Sequence, residues 1–409
     1  MINSVQLFEM ALGVETPWKI EEVEFIQGSS GQELHIRINF KKGSKFLDSA
    51  GNSCDIHDTR EKTWRHLNFF QHECYLHCRV PRIKTKSGKV EMVEVPWSKP
   101  GSGFTLLFEA FVMALIEKEM PINKVGALIN ENPNRIWTIF NYWIEKSYLA
   151  DEPSVPKKLG LDETSKRKGH NYITVGVDLD ERRVIHVAEG KDKEAVKAIK
   201  TYVESKGLDA NEVRHASMDM SPSYISGVRD CFPNAEIHFD RFHVVKLLNE
   251  AMDKVRQLER KEHDELKGHK YTFLKKHNNL TEERKQELQE LIKLFPTLGE
   301  AYRFKELFND LWEMETEEDA IAFLKSWCNE VEKAKIEPFK QFIKTIKTHW
   351  SGIVNFCETE INNGILEGIN NKIQLAKRRA RGYRRTKNFI NMIYFLCGKL
   401  KFDYPLVST

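Results

Sequence analysis

LGLDETSKRKGHNYITVGVDLDERRVIHVAEG, residues 159–190, decides the fold. Its opening LGLDET reads as a strand, and YITVGVDLD and RVIHVAEG read as a hairpin turning at Asp180 and Glu181. DKEAVKAIKTYVESKG follows as a helix, with Ala195, Ile199 and Val203 on one stripe. VRHASMDM is the next strand, a short helix follows SPSY, and AEIHFD is the last strand. Three strands followed by helix, strand, helix and strand predict a mixed sheet covered by helices.

Two aspartates stand out in that sheet. Asp162 lies in the first strand, and Asp219 ends the strand after HASM. A carboxylate at the centre of a sheet is costly unless a cation compensates it. Hard divalent ions take one or two carboxylates together with water and phosphate oxygens. The plainer alternative is that each aspartate accepts main-chain N–H groups at a strand end. A third acid lies downstream in NNGILEGINNKIQLAKRRARGY. There Ile365, Ile369, Ile373 and Ala376 form a buried helical stripe. The other face carries Glu367, Asn370, Asn371, Gln374 and Arg378, one acid among amides. An ordinary solvated face is the alternative reading of it. Three carboxylates in one site would hold two divalent ions about 3.5–4 Å apart.

Residues 243–350 lose the alternation and read as an all-helical block. Upstream, residues 31 to about 100 read as a β-rich module, with Leu34, Ile36, Ile38 and Phe40 alternating with polar residues and KVEMVEVPW repeating the signal. FTLLFEAFVMALIEKE, INKVGALI and NRIWTIFNYWIEKS are three helices, with Asn130–Asn132 as the tight turn and Pro133 in a first helical turn. That spacing resembles a helix-turn-helix, although a plain three-helix connector has the same pattern. The division expected is 1–100 β-rich module, 101–150 helix-turn-helix, 151–246 first part of an α/β core, 247–350 helical insertion and 351–409 closing helices.

The 409 residues carry 63 Lys and Arg against 60 Asp and Glu, a net charge of +3. That balance excludes a histone-like polycation and an acidic disordered chain, and 41% hydrophobic residues suit a globular protein. The average hides two unlike stretches. Residues 281–330 hold 13 acidic and 6 basic residues, a local net of −7, whereas 371–401 holds 10 basic and no acidic ones. Seven scattered cysteines, an odd number, predict reduced thiols in a cytoplasm. There is no apolar run of about 18 residues and no secretion signal, so no membrane partner is expected.

LDETSKRKGHNYITVGVDLDERRVI, SMDMSPSY, HFDRFHVVKLLN and NGILEGINNKIQLAKRRARGYR resemble the ISL-three family of bacterial insertion-sequence transposases, within the RNase H-like DDE transposases. HDTREKTWRHLNFF, VEVPWSKPGSGFTLLFE and the helix-turn-helix extend the resemblance from about residue 50 to about 395. It implies an RNase H-like mixed sheet, interrupted by the all-α insertion that accounts for the 148 residues from Asp219 to Glu367. It implies Asp162, Asp219 and Glu367 as the triad binding two Mg²⁺ or Mn²⁺ ions. Asp240 and His243 belong to its DRFH-like motif; His243 would touch the scissile phosphate or a water, or the two would simply pair and cap the next helix. Expected partners are double-stranded DNA, as terminal inverted repeats and as target, and a second copy in a homodimer. The expected location is the bacterial cytoplasm, at the nucleoid. Expected DNA contacts are Lys124, Arg135, Trp137 and Asn141 in the helix-turn-helix, Lys166, Arg167 and Lys168 after the first strand, and Asn370, Asn371, Lys377, Arg378, Arg379, Arg381, Arg384 and Arg385 downstream. Trp137 reads equally well as core.

The chain departs from the family pattern near its start. Members open with a zinc ribbon, whereas FLDSAGNSCDIHDTR keeps only Cys54 and PRIKTKSGKVEMVEV has neither Cys nor His. His57, His72, Cys74, His77 and Cys78 could form another site, but Cys74 and Cys78 share one strand face with His77 opposite. A module packed without zinc is therefore expected. Two other functions share much of this pattern: a decayed transposase that only binds DNA, and an RNase H-like nuclease without strand transfer.

Overall fold

The computed structural model describes residues 4–28, 31–166, 172–357 and 364–405. The chain forms two compact units, one of residues up to Leu149 with those from Lys401 on, the other Ala150–Leu400. The chain end from Lys401 therefore groups with the first unit.

The first unit opens with α1 (Ser4–Leu12), β1 (Trp18–Gln27), β2 (Gln32–Phe40), β3 (Phe46–Leu47), β4 (Ser53–Cys54), β5 (Ile56–Phe69), β6 (His72–Lys84) and β7 (Val90–Met92). Its main sheet runs β1-β2-β6-β5, with β7 on β6. The β-rich module thus begins before residue 31, and the KVEMVEVPW segment contributes only a three-residue strand. Leu34, Ile36, Ile38, Cys74, Leu76, Cys78 and Val80 are buried on one face, as period two requires. Trp18 and Trp64 complete this core.

Then come α2 (Leu106–Glu117), α3 (Ile122–Leu128) and α4 (Pro133–Ala150). Thr105 caps α2 by accepting the Phe108 N–H. Gly126 permits the tight approach of α3 to α4, because a Cβ there would lie 2.6 Å from the Glu131 carbonyl oxygen. A fully buried carboxylate, Glu109, ties the segment together. It accepts from Lys99 Nζ, from Ser102 Oγ at 2.7 Å and from Trp143 Nε1 at 2.7 Å. The loop 98–103, α2 and α4 therefore share one polar anchor in an apolar interior.

The second unit contains β8 (Lys158–Ser165), β9 (Tyr172–Asp178), β10 (Arg183–Glu189), α5 (Lys193–Ser205), β11 (His215–Met218), α6 (Pro222–Cys231) and β12 (Glu236–Phe239). The sheet order is β10-β9-β8-β11-β12. β8, β11 and β12 run parallel, while β9 and β10 pair antiparallel. One face is covered by α5, whose Ile199 packs close to Gly176. The helical block is α7 (Arg241–Arg260), α8 (Lys270–Leu274), α9 (Glu282–Leu294), α10 (Pro296–Phe308), α11 (Glu317–Ala334) and α12 (Glu337–Thr348). Phe304, Phe308, Trp327, Phe339 and Phe342 form its aromatic core. α13 (Trp350–Val354), α14 (Gly364–Arg379) and α15 (Thr386–Cys397) return to the sheet. Gly352 of α13 seats against the Phe239 ring, and Tyr394 of α15 accepts the Val187 N–H at 2.9 Å.

Removing one member of a buried charged network leaves its partners unpaired in low dielectric, typically at about 3–5 kcal/mol. Glu109→Ala is therefore expected to destabilise the first unit by about that amount in denaturant unfolding. A loss below about 1 kcal/mol would show that Lys99 and Trp143 find other partners.

Candidate active site

Strand register assembles the site. Ser217 pairs with Gly160, and Met218 pairs with Phe239, both in parallel ladders. Continuing each ladder past the end of β11 puts Asp219 level with Asp162 on one side and Asp240 on the other. Adjacent strands lie about 4.8 Å apart, so three carboxylates occupy one row on one face.

Each carboxylate commits one oxygen to the main chain. Asp162 Oδ1 accepts the Glu163 N–H at 2.7 Å, Asp219 Oδ1 accepts Ser221 N–H at 2.9 Å, and Asp240 Oδ1 accepts Phe242 N–H at 2.8 Å as the N-cap of α7. The strand-end turn role weighed from sequence is thus present in all three. It fixes each side chain without consuming the second oxygen. Asp240 Oδ2 lies 3.4 Å from His243 Nδ1, so the pairing and capping reading of the DRFH-like motif describes its local geometry.

α14 crosses the same face of β8. Leu366 is buried over Gly160, whose missing side chain makes room for it. Asn370 Nδ2 donates to Asp162 Oδ2, Gln374 Nε2 donates to Thr164 Oγ1 at 2.7 Å, and Lys377 Nζ bonds Ser165. The polar face predicted for this helix therefore divides: Asn370 and Gln374 turn to the sheet, whereas Asn371 and Arg378 are exposed. Of the expected stripe Ile369 and Ile373 are buried and Ile365 and Ala376 half-buried, and Leu366 joins the buried side. Glu367 stands exposed in the first turn of α14. Among the described residues, Asp162, Asp219 and Glu367 do not together form a cluster in which one oxygen from each lies within 4.8 Å of the other two.

Electrostatics mark Asp162 as the constrained member. Burial pushes its carboxyl up to about 6, with Asp240 and Asp219 adding to the rise and the Glu163 N–H and His243 opposing it. Asp240 holds His243 above its ordinary range, with Asp219 and Asp162 adding to the effect and burial opposing it. Excess negative charge on half-buried oxygens is the setting a divalent cation relieves, so these residues fit the ion expected from sequence.

Downstream, Arg378, Arg379, Arg381, Arg384 and Arg385 are exposed around the end of α14. The helix stops at Arg381 and Gly382, both at positive φ, with the Gly382 N–H donating to the Lys377 carbonyl. Lys166 pairs with Glu189 at 3.5 Å, and Arg167 and Lys168 lie outside the described residues. In the first unit Lys124 is exposed, Arg135 pairs with Glu131 at 2.8 Å and stacks on Phe104, and Trp137 is half-buried against Phe140, as is Asn141 beside it in α4.

A family model described as transposase, DDE_Tnp_ISL3, matches residues 159–393. The chain belongs to transposase family ISL3. A helix-turn-helix domain of the same family matches residues 93–144, over α2, α3 and most of α4. The transposase for insertion sequence element IS1557 of Mycobacterium tuberculosis is 25% identical over 95% of this chain and 94% of its own length. That for insertion sequence element IS1001 of Bordetella parapertussis is 25% identical over 93% of this chain and 95% of its own. The chain is thus a transposase of the insertion-sequence type, and the family implies DNA cutting or transfer and use of a divalent metal. Among the described residues no helix is long and apolar enough to cross a membrane.

A zinc-finger model of related transposases matches residues 51–86. The residues present do not fit a four-ligand zinc site. Cys74 and Cys78 point into the hydrophobic core, where burial pushes both thiols up to about 12. Cys54 is buried beside Asp48, and His57 is exposed. Asp58 and Arg82 instead make a two-pronged ion pair between β5 and β6, with Arg82 Nε 2.6 Å from Asp58 Oδ1.

The Asp162 shift makes a stability prediction. Its folded pKa stands above the unfolded value, so the folded form binds more protons between pH of about 4 and 6, and stability falls as pH rises through that window. Metal-free Asp162→Asn should therefore exceed wild type by roughly 2 kcal/mol at pH 7.5, and the two should converge near pH 4. Added Mg²⁺ should raise the melting temperature of wild type and leave the variant unmoved. Equal Mg²⁺ stabilisation of both would remove Asp162 from the ion site.

Proposed function

We propose that this chain is a DDE transposase with an RNase H-like core, which binds the terminal inverted repeats of its element, cuts at their ends and joins the 3′-ends to target DNA. The observation that carries the reading is the carboxylate row across β8, β11 and β12, with α14 laid over it. The strand order, antiparallel on one side of β8 and parallel on the other, supports the RNase H-like assignment.

Asp162, Asp219 and Glu367 are the residues assigned to hold two Mg²⁺ or Mn²⁺ ions. Bound there, the ions supply Lewis-acid activation of a water or 3′-hydroxyl and neutralise charge on the phosphate. Asn370 orients Asp162, and Asp240, which raises the pKa of His243, sets that imidazole beside the row, where it can donate to an incoming phosphate. Arg378, Arg379, Arg381, Arg384 and Arg385 neutralise the backbone near the site, with Lys377 fixing α14 to β8. Asn371, exposed on α14, and Lys166, Arg167 and Lys168 extend this surface. Lys124, Arg135, Trp137 and Asn141 are assigned to the terminal repeat, and Arg135 would exchange Glu131 for DNA. Two element ends handled together call for a homodimer, acting on the nucleoid in the cytoplasm. The N-terminal module packs on its hydrophobic core without zinc.

The test uses a labelled duplex carrying the flanking inverted repeat, a target plasmid and Mg²⁺ or Mn²⁺. Wild type should cut and join, while Asp219→Asn and Glu367→Gln should lose roughly 10²-fold or more with end binding retained. Binding without cleavage by wild type would sink the enzyme reading. Cleavage that survives both substitutions would sink the site assignment.

A further inference from the structure

A second cluster of metal-ligating side chains lies at the opposite end of the same strands. His215 opens β11, Glu236 opens β12 directly beside it, and His238 follows two residues on, on the same face. One ligand atom from each lies within 4.8 Å of the other two. His215 Nδ1 is 3.1 Å from His238 Nε2 and 3.6 Å from Glu236 Oε2. In a tetrahedral zinc site with bonds of about 2.0–2.1 Å, neighbouring ligand atoms stand roughly 3.4 Å apart. The two separations bracket that value. Along the strands Asp219 lies four residues beyond His215, about 13 Å at the rise of a parallel strand, while Asp240 lies two residues beyond His238, about 7 Å.

The surroundings are built for a ligand. His238 is only 3% exposed, and it hydrogen-bonds the main chain of Asn355. Its Nε2 faces His215, so the bond to the Asn355 carbonyl falls to Nδ1–H, the arrangement that orients a metal-binding imidazole. Asn355 also donates through Nδ2 to the Ile237 carbonyl at 3.2 Å, which holds that loop against β12. Glu236 is half exposed and opens the cluster to solvent. Lys158, beside His215 in the sheet, lies 3.8 Å from Asp180 Oδ1 and so has an anionic neighbour of its own.

We propose that His215 Nδ1, Glu236 Oε2 and His238 Nε2 bind one first-row transition-metal ion of the Zn²⁺ class, with water completing the shell. Two imidazoles and one carboxylate select such an ion over Mg²⁺, which prefers oxygen donors alone. Binding needs only that His215 carry its proton on Nε2, a change of tautomer without net proton release. The ion ties edge strand β12 to β11, whose far ends carry Asp240 and Asp219. The alternative is a plain imidazole–imidazole hydrogen bond with Glu236 as a second acceptor, which takes up no metal.

The test is a Co²⁺ titration of the chelator-stripped full chain in excess Mg²⁺, followed by absorption spectroscopy. Visible bands of tetrahedral Co²⁺ should saturate near one equivalent, be displaced by Zn²⁺, and lack the near-ultraviolet thiolate band that binding at Cys54, Cys74 or Cys78 would give. His238→Ala and Glu236→Gln should each weaken uptake by about tenfold or more. Glu236→Gln alters a half-exposed side chain, and its unchanged melting in chelator would show an intact fold. Absent bands, a thiolate band, competition by Mg²⁺, or uptake by both variants as tight as that of wild type would overturn the proposal.

Discussion

Like charges set side by side on a half-buried sheet repel, and much of the second unit is organised around that repulsion. Asp162, Asp219 and Asp240 share a row because parallel register leaves them no other place. Each is pinned by a main-chain N–H, which fixes position without neutralising charge. Asn370 and His243 face the row as well, one as an amide donor to Asp162 and one as an imidazole beside Asp240 whose pKa that carboxylate raises. An uncharged sheet edge would be more stable and would hold no divalent ion.

The first unit solves a different problem with similar means. Its family relatives include a zinc-finger segment, yet here thiols sit in an aliphatic and aromatic core and an Asp58–Arg82 pair links the long strands. Glu109 does for the helical part what a metal does elsewhere, holding a loop and two helices through one buried charge. Its partners are directional, so the anchor specifies geometry as well as contributing stability.

Much of this was legible in the sequence because it rests on short-range pattern. Alternation at Leu34, Ile36 and Ile38, the turn at Asn130 with Pro133, and the stripe on α5 each depend on neighbours within a few residues. The sheet elements and the family motifs at Asp162 and Asp219 were equally readable. β1 was not, since WKIEEVEFIQ mixes charge with apolar residues and gains its place only by pairing with β2. The split face of α14 was also hidden: the spacing of Asn370, Gln374 and Lys377 shows a shared side, but only the approach over Gly160 reveals that it meets β8. The His215–Glu236–His238 cluster escaped for the same reason, because 21 residues separate His215 from its strand partner.

The net charge of +3 conceals an exposed arginine cluster that follows the helix docked on the carboxylate row, a placement suited to phosphate backbones. An anomalous difference map from crystals grown with Mn²⁺ and a duplex of the element end tests the arrangement most directly. The expected result is Mn²⁺ between Asp162 and Asp219, with Glu367 drawn in and Asn370 displaced from Asp162. Mn²⁺ bound elsewhere, with the Asn370–Asp162 bond intact, would contradict it.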